Sequence, residues 1–397
     1  MMRGLGMKQD ECIVYLEVYE KVGDGIVDAI VDFRQRKDYE QFLEFTGQKS
    51  SDATYIELRS LKSAKRLRRG CYYKLNLELI KDFQTDGDTD SLLIGASYDL
   101  QDMEMPKDDD AELLQKHEVL DPEEMSMAVE PQGRVFDVED ADDLKLFVKD
   151  VGQANWNELR RGNDVLVLYD AGARLRVGRN EVRQIIDSRK DRLMDSKPVL
   201  VISHWDADHT HCLKGMSEQD VGDYFSKIVC PDKIKNATSQ AILEKFERAL
   251  GRENVYCLPL PERTDGITMH LWRREGLISL FQGEKSREPN YCGLVMFVKG
   301  SVRSANYTGD CRLSQAANAY RQEMNEGLNT NEHILIAPHH GGDCGADHRH
   351  YLMPCNLIAI SVGQNSYGHP NGNMLAYLQS LGDVKQTNIN GDLMKNV

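Results

Sequence analysis

The segment Val201–Gly215, VISHWDADHTHCLKG, places His204, Asp206, Asp208 and His209 within six positions, directly after an apolar run. Asp310 (SANYTGD), the His339–His340 pair (HILIAPHHGG) and His369 (IAISVGQNSYGHP) follow later, each behind its own apolar stretch. Imidazole and carboxylate are the ligands a hydrolytic centre with two divalent ions needs. One carboxylate is shared between ions roughly 3.5–4 Å apart, a bound water is acidified, and charge on the leaving group is absorbed. His204, Asp206, Asp208, His209, Asp310 and one of His339 and His340 could supply such a set. The alternative is a chance cluster of solvated polar residues. The H-x-D-x-D-H spacing carries Asp206 where a second histidine would be commoner. Weighting a site toward oxygen shifts its preference from Zn²⁺ toward Mn²⁺ or Mg²⁺. Two divalent ions are therefore the expected cofactors, with manganese favoured and zinc or magnesium as the alternatives.

Side chains so far apart in sequence converge only on a rigid scaffold, and strand ends are where a sheet presents them. From residue 146 onward short apolar strands (DVLVLYDAG, PVLVISH, GLVMFVKG, HILIAPHHGG, NLIAISVG) alternate with helical segments such as RNEVRQIIDSRKDRLM and LSQAANAYRQEMNEG. This predicts a layered α/β domain over 146–397. Residues 1–100 read as a small β-rich domain, with ECIVYLEVYE and CYYKLNLELIKDF as strands and KDYEQFLEFTG as a short helix. Between the two, residues 101–145 are acidic: 16 acidic against 4 basic residues over 102–145 place −12 of the net charge of −15 there. A solvated linker is the expectation for this stretch, and a mimic of nucleic-acid charge is the sharper alternative.

The order H-x-D-x-D-H, T-G-D, P-H-H-G, Y-G-H-P resembles the metallo-β-lactamase superfamily, in the variant found in the hydrolase domain of ComEC-type competence DNA-uptake proteins and their soluble relatives. The resemblance begins with DVGQ (Asp150–Gln153) and D-x-G (Asp170–Gly172), includes NYCGLVMFVKG, and covers about 146–372. It implies an αββα sandwich with metals in a groove at one edge. By this resemblance His204 and Asp206 belong to one metal site, Asp208 and His209 to the other, and Asp310 bridges. His339 is expected as a further ligand. His340, His369 and, beside its ligand role, Asp208 are expected in catalysis, with His369 a ligand or general acid. Asp170 is expected to orient a ligand from behind. His211, which stands where the family usually has a Gly-Gly pair, is expected at the surface or behind the ligands. His270 is the one candidate by position for an extra ligand that more distant members carry, and a strand histidine is the simpler reading. His333, His348 and His350 are expected at the surface.

The resemblance implies a phosphodiesterase acting on nucleic acid. Two readings of other kinds compete: a small-molecule ester, lactone or cyclic-nucleotide hydrolase of the same fold, and an interaction module whose metal is structural. A long groove flanked by Lys and Arg would favour the first, an enclosed pocket the second. Arg66, Arg68 and Arg69 in the basic run LKSAKRLRRG, and Arg160 and Arg161, are candidate phosphate contacts, with solvated turn charges as the plainer alternative. A partner protein is conceivable through residues 1–145. Nine cysteines without a C-x-x-C pair argue for a reducing compartment. The sequence shows neither a signal-peptide apolar core nor a membrane-length apolar run. A cytoplasmic location is the expectation.

Overall fold

The computed structural model describes residues 11–23, 26–46, 55–62, 70–77, 81–85, 92–96, 133–286, 288–327, 332–344, 354–365 and 368–397. The basic run with Arg66, Arg68 and Arg69, the acidic segment up to 132, and His117, His348 and His350 lie outside them. Two compact units divide the chain. One comprises 1–126 with 178–180 and 234–244, and the other holds the rest.

In the first unit, β1 (Glu11–Gly23), β2 (Ile26–Phe33), β3 (Tyr55–Lys62), β4 (Tyr72–Asn76), β5 (Lys81–Thr85) and β6 (Leu92–Ala96) form one sheet in the order β4-β1-β2-β3-β6-β5. Alternation in β1 turns Cys12, Val14 and Leu16 to one face. There they share a core with Tyr39 and Phe42 of α1 (Arg36–Thr46). Lys235 and Glu17, each 2% exposed, pair at 2.9 Å within this unit.

The second unit holds two seven-stranded sheets. β7 (Leu144–Val148), β8 (Trp156–Arg161), β9 (Asp164–Ala171), β10 (Val199–Val201), β11 (Lys227–Pro231), β12 (Val255–Leu258) and β20 (Leu393–Asn396) run in the order β12-β11-β10-β9-β8-β7-β20. β13 (Met269–Glu275), β14 (Ile278–Gly283), β15 (Leu294–Lys299), β16 (Ser304–Tyr307), β17 (His333–Ile336), β18 (Cys355–Ile360) and β19 (Gly382–Gln386) follow one another in the second sheet. Leu159, Val167 and Val201 from one sheet meet Leu280, Met296 and Ile334 from the other in one buried core. Strand alternation sends the neighbours Phe281, Phe297 and Leu335 to the opposite face, against Leu313 and Ala316 of α7 (Leu313–Asn325) and Leu378 of α8 (Gly372–Leu381). On the outer face of the first sheet, α3 (Lys190–Ser196) and α4 (Ala207–Gly215) pack on β9 and α5 (Glu218–Tyr224) packs on α3, while α2 (Arg179–Asp187) and α6 (Ala237–Leu250) have residues in both units. The layers are therefore helix, sheet, sheet, helix.

Part of the expected linker belongs to this unit. Val135, Phe136 and Val138 are buried in the inter-sheet core. The amides of Val135 and Phe136 both donate to Glu275 Oε2 at 2.8 Å. A V-F-x-V pattern between acidic residues was too short to outweigh the charge around it. His333, expected at the surface, is buried beside Phe297 and Tyr320, bonded to Ser304 Oγ at 2.8 Å, and burial pushes its pKa down to about 3. Among the described residues no helix is long and apolar enough to cross a membrane.

Candidate metal centre

The candidate ligands stand just beyond the carboxyl ends of parallel strands: β9 and β10 in one sheet, β16, β17 and β18 in the other. Asp170 closes β9 in a left-handed conformation (φ 60°) and is fully buried. Its Oδ1 accepts the Ser203 amide at 2.7 Å. Its Oδ2 accepts the Ser203 hydroxyl at 2.8 Å and faces His209 Nδ1 at 2.8 Å. Asp206 is the N-cap of α4 with extended backbone (φ −68°, ψ 146°), and Asp208 and His209 lie in the first helical turn. His339 and His340 both have φ of 53°. Left-handed backbone costs a non-glycine residue on the order of 1–3 kcal/mol. Two in succession aim both rings away from the course a plain turn would take.

The hydrogen bonds fix the ring orientations. The Ser361 carbonyl and the Asp170 carboxylate can only accept, so the Nδ1 facing each carries a proton. His340 Nδ1 donates to Ser361 O at 2.6 Å, and His209 Nδ1 donates to Asp170. Ser203 Oγ spends its hydrogen on Asp170 and so accepts from His204 Nδ1 at 3.0 Å. All three rings therefore turn Nε2 inward, onto carboxylates. His209 Nε2 is 3.1 Å from Asp310 Oδ1, His340 Nε2 is 3.2 Å from Asp208 Oδ2, and His204 Nε2 is 3.5 Å from Asp206 Oδ2 and 3.8 Å from Asp310 Oδ2. His204 Nε2 and His340 Nε2 are buried and make no hydrogen bond among the described residues.

A neutral ring in this arrangement would point a lone pair at a carboxylate oxygen, which is repulsive unless a cation lies between. Ligand atoms about 2.1 Å from a common ion stand roughly 3–3.5 Å apart, close to most of these separations. The donor set fits divalent metal. His204, His209 and Asp310 form one group able to hold an ion, and Asp208, His209 and His340 a second. The two Asp310 oxygens face opposite ways, Oδ1 toward His209 and Oδ2 toward His204 and, at 3.7 Å, His339.

Without an ion, protons take the cation's place. Burial works to lower the His209 pKa, but the Asp310 and Asp170 carboxylates outweigh it and hold the ring well above its ordinary value. Burial likewise opposes Asp310 ionisation, and the imidazoles of His339, His209 and His204 overcome it, holding the carboxyl well below its usual range.

The other expected residues fall into place around this core. His340 brings its Nε2 into a metal-capable group. His339 is in neither group, and its side chain is one-fifth exposed. By sequence either member of the pair could be the ligand; the structure buries His340 and leaves the His339 side chain one-fifth exposed. His369 stacks near His339, with ring centroids 5.0 Å apart, and its Nδ1 donates to His339 O at 3.0 Å. Burial and the adjacent imidazoles push its pKa down to about 4. His211 is buried rather than surface-exposed, its Nδ1 3.3 Å from Arg174 O. Burial lowers its pKa to about 4. His270 bonds Glu284 at 3.2 Å, away from both groups. Arg160, expected on phosphate, is 6% exposed, bonded to Glu158 at 2.6 Å and laid over Phe147. Arg161 donates to Asp140 O. Glu158 thus takes up the Arg160 charge inside the unit, while Arg161 keeps its Nε without a hydrogen bond among the described residues. Sequence reasoning missed Asn155, whose Nδ2 reaches His209 Nδ1 at 3.3 Å and whose amide donates to Asp208 O at 3.0 Å. It also missed Ser203 and Asn290. All three lie within or beside motifs that were noticed for other residues.

No protein-family model and no curated protein matches this sequence. Solved structures do show similarity. Tm1679, a metal-dependent hydrolase of the beta-lactamase superfamily, is 11% identical, with 64% of this chain and 99% of that chain covered and a TM-score of 0.39. The short form of human tRNase Z is 14% identical over 60% and 88%, TM-score 0.33. The DIM-1 metallo-beta-lactamase is 14% identical over 52% and 89%, TM-score 0.27. What decides the fold lies in the chain itself: two facing sheets between helices, with five motifs meeting at the strand ends. The fold is an αββα sandwich. In this sandwich Asp170 holds the His209 ring through the Nδ1 proton, and partners of that kind typically contribute 10–100-fold to metal affinity. Asp170→Asn is expected to weaken metal binding by about that factor while the chain stays folded, as read by metal titration and circular dichroism. Unchanged affinity would show that Asn155 and Ser203 alone orient the ring.

Proposed function

We propose that this chain is a two-metal phosphodiesterase that cleaves nucleic acid. The observation that supports this best is the donor set: three inward imidazoles and three carboxylates disposed on the two sides of Asp310. Such an oxygen-weighted set favours Mn²⁺ over Zn²⁺. Bound there, the ions would supply a nucleophile at neutral pH and grip non-bridging phosphate oxygens. The motif order, which resembles that of the hydrolase domain of ComEC-type competence proteins, points the same way.

The chain's own residues do the positioning. His204, Asp206 and Asp310 would hold one ion, and Asp208, His209, His340 and Asp310 the other. Ser203, Asp170 and the Ser361 carbonyl hold the Nδ1 side of each ring, so each Nε2, once free of a proton, would turn its lone pair toward an ion. His339, partly exposed above Asp310 Oδ2, faces where substrate would lie. His369, neutral with its Nδ1 proton committed to His339 O, keeps Nε2 as an acceptor for a proton released during cleavage.

The test is cleavage of single- and double-stranded DNA and RNA by the full chain, stripped of metal and reloaded with Mn²⁺, Mg²⁺ or Zn²⁺. Cleavage with Mn²⁺ is expected, and none with any ion on any strand would overturn the reading. In the same assay His340→Ala is expected to lower bound metal in elemental analysis. His339→Ala should keep the metal and lose rate by about 10²–10⁴-fold, the range of a group acting on the reacting atoms. Equal metal loss from both variants would refute this division.

A further inference from the structure

We infer that Arg312 is an anion-binding residue of this centre, placed to hold a phosphate oxygen of the substrate; as to substrate, the inference rests on the phosphodiesterase reading above. Arg312 follows the bridging Asp310 by two residues. Its guanidinium lies 4.0 Å from the centroid of the Tyr291 ring, and its Nε is buried without a hydrogen bond among the described residues. Four other arginines of this unit are spent on carboxylates: Arg160 and Arg189 on Glu158, Arg183 on Asp220, Arg274 on Glu323. In a chain of net charge −15, a guanidinium beside an acidic centre yet paired with no carboxylate among the described residues invites an external anion.

The residues around Arg312 hold it in place. Gln315, 1% exposed, accepts the Arg312 amide on Oε1 at 2.9 Å and donates from Nε2 to Tyr291 O at 2.9 Å. It thereby ties the Arg312 backbone to the turn Pro289–Cys292. In the same turn Asn290 Nδ2 donates to Asp310 Oδ2 at 3.3 Å, the oxygen that faces His204 and His339. Arginine, turn and bridging carboxylate therefore form one locked group. A guanidinium matches phosphate oxygens with two parallel N–H donors. Stacking on tyrosine holds the fork flat at little further entropic cost.

The probe is inorganic phosphate, titrated by calorimetry into the Mn²⁺-loaded full chain. Arg312→Ala is expected to weaken phosphate binding at least about tenfold, the 1.4 kcal/mol of a charge-assisted hydrogen bond, at unchanged metal content. Arg312→Lys is expected to recover part of it, since a lysine restores the charge but not the fork. Phosphate binding that does not depend on position 312, or no phosphate binding by the wild type, would overturn the proposal. So would metal loss in both variants, which would make Arg312 a support of the Asp310 loop. The measurement needs no turnover. Arg312-dependent phosphate binding without nucleic-acid cleavage would sink the nuclease reading and leave this assignment standing. Normal cleavage with Arg312-independent binding would do the reverse.

Discussion

Gly172→Ala is expected to yield a chain with a collapsed metal centre. A Cβ at position 172 would stand 1.8 Å from the Asp208 carbonyl oxygen, 2.6 Å from its carbon and 3.0 Å from Asn155 O. All are backbone atoms, so no side chain can swing aside. Gly172 N–H donates to Asn155 O and Asn155 N–H to Asp208 O, so the methyl would pry apart the contact that seats the first turn of α4. That turn carries Asp208 and His209. Relief requires it to move by about 1 Å or more, and misplacement of that size can cost 10²-fold in rate. Overpacking adds a loss of about 1–3 kcal/mol in stability. The expected readings are a lower urea midpoint, reduced metal content, and cleavage down by about 10²-fold or more. Gly372→Ala, where nothing lies within 4 Å of the added Cβ, serves as the control and should behave as wild type. Wild-type metal occupancy and midpoint in Gly172→Ala would show that the close approach is not needed.

Asp310→Asn is expected to separate folding from metal binding. The amide keeps the shape of the side chain but removes the charge that faces the imidazoles of His204, His209 and His339. Asp310 is 1% exposed and lies against His209, His204, His339 and His340. In the wild type, added Mn²⁺ should raise Tm, since a ligand at about 100 times its Kd stabilises by about 2.7 kcal/mol. In Asp310→Asn that rise should vanish and cleavage should fall below detection, with the metal-free chain still folded. The variant should also release fewer protons on metal addition. Asp310 and Asp170 together raise the His209 pKa in the metal-free chain, so wild-type metal uptake must expel that proton and tighten as pH rises. A full Tm rise in the variant would mean that Asp310 does not bridge.

The candidate ligand residues were legible because each stands in a short motif just after an apolar strand, and strand ends are where a sheet converges side chains. The α/β layering was legible for the same reason, from apolar runs of strand length alternating with helical ones. The last strand was not: GDLMKNV has little apolar character, and β20 exists because its backbone completes β7, with Leu393 opposite Val148. Val135–Val138 was hidden by the acidic residues around it, and Arg160 looked available because no local feature announces that Glu158 and Phe147 will consume it.

By itself the sequence determined the chemistry on offer: which imidazoles and carboxylates, in what order, and an oxygen weighting set by Asp206. Those are properties of composition and spacing. Only the tertiary structure decided which member of the His339–His340 pair turns inward, that Asp170 and Ser203 hold the rings from behind, and that Arg312 is tied to the bridging carboxylate through Asn290 and Gln315. Each of these depends on contacts between residues distant along the chain or on left-handed backbone in a turn. Spacing along the chain carries no information about either.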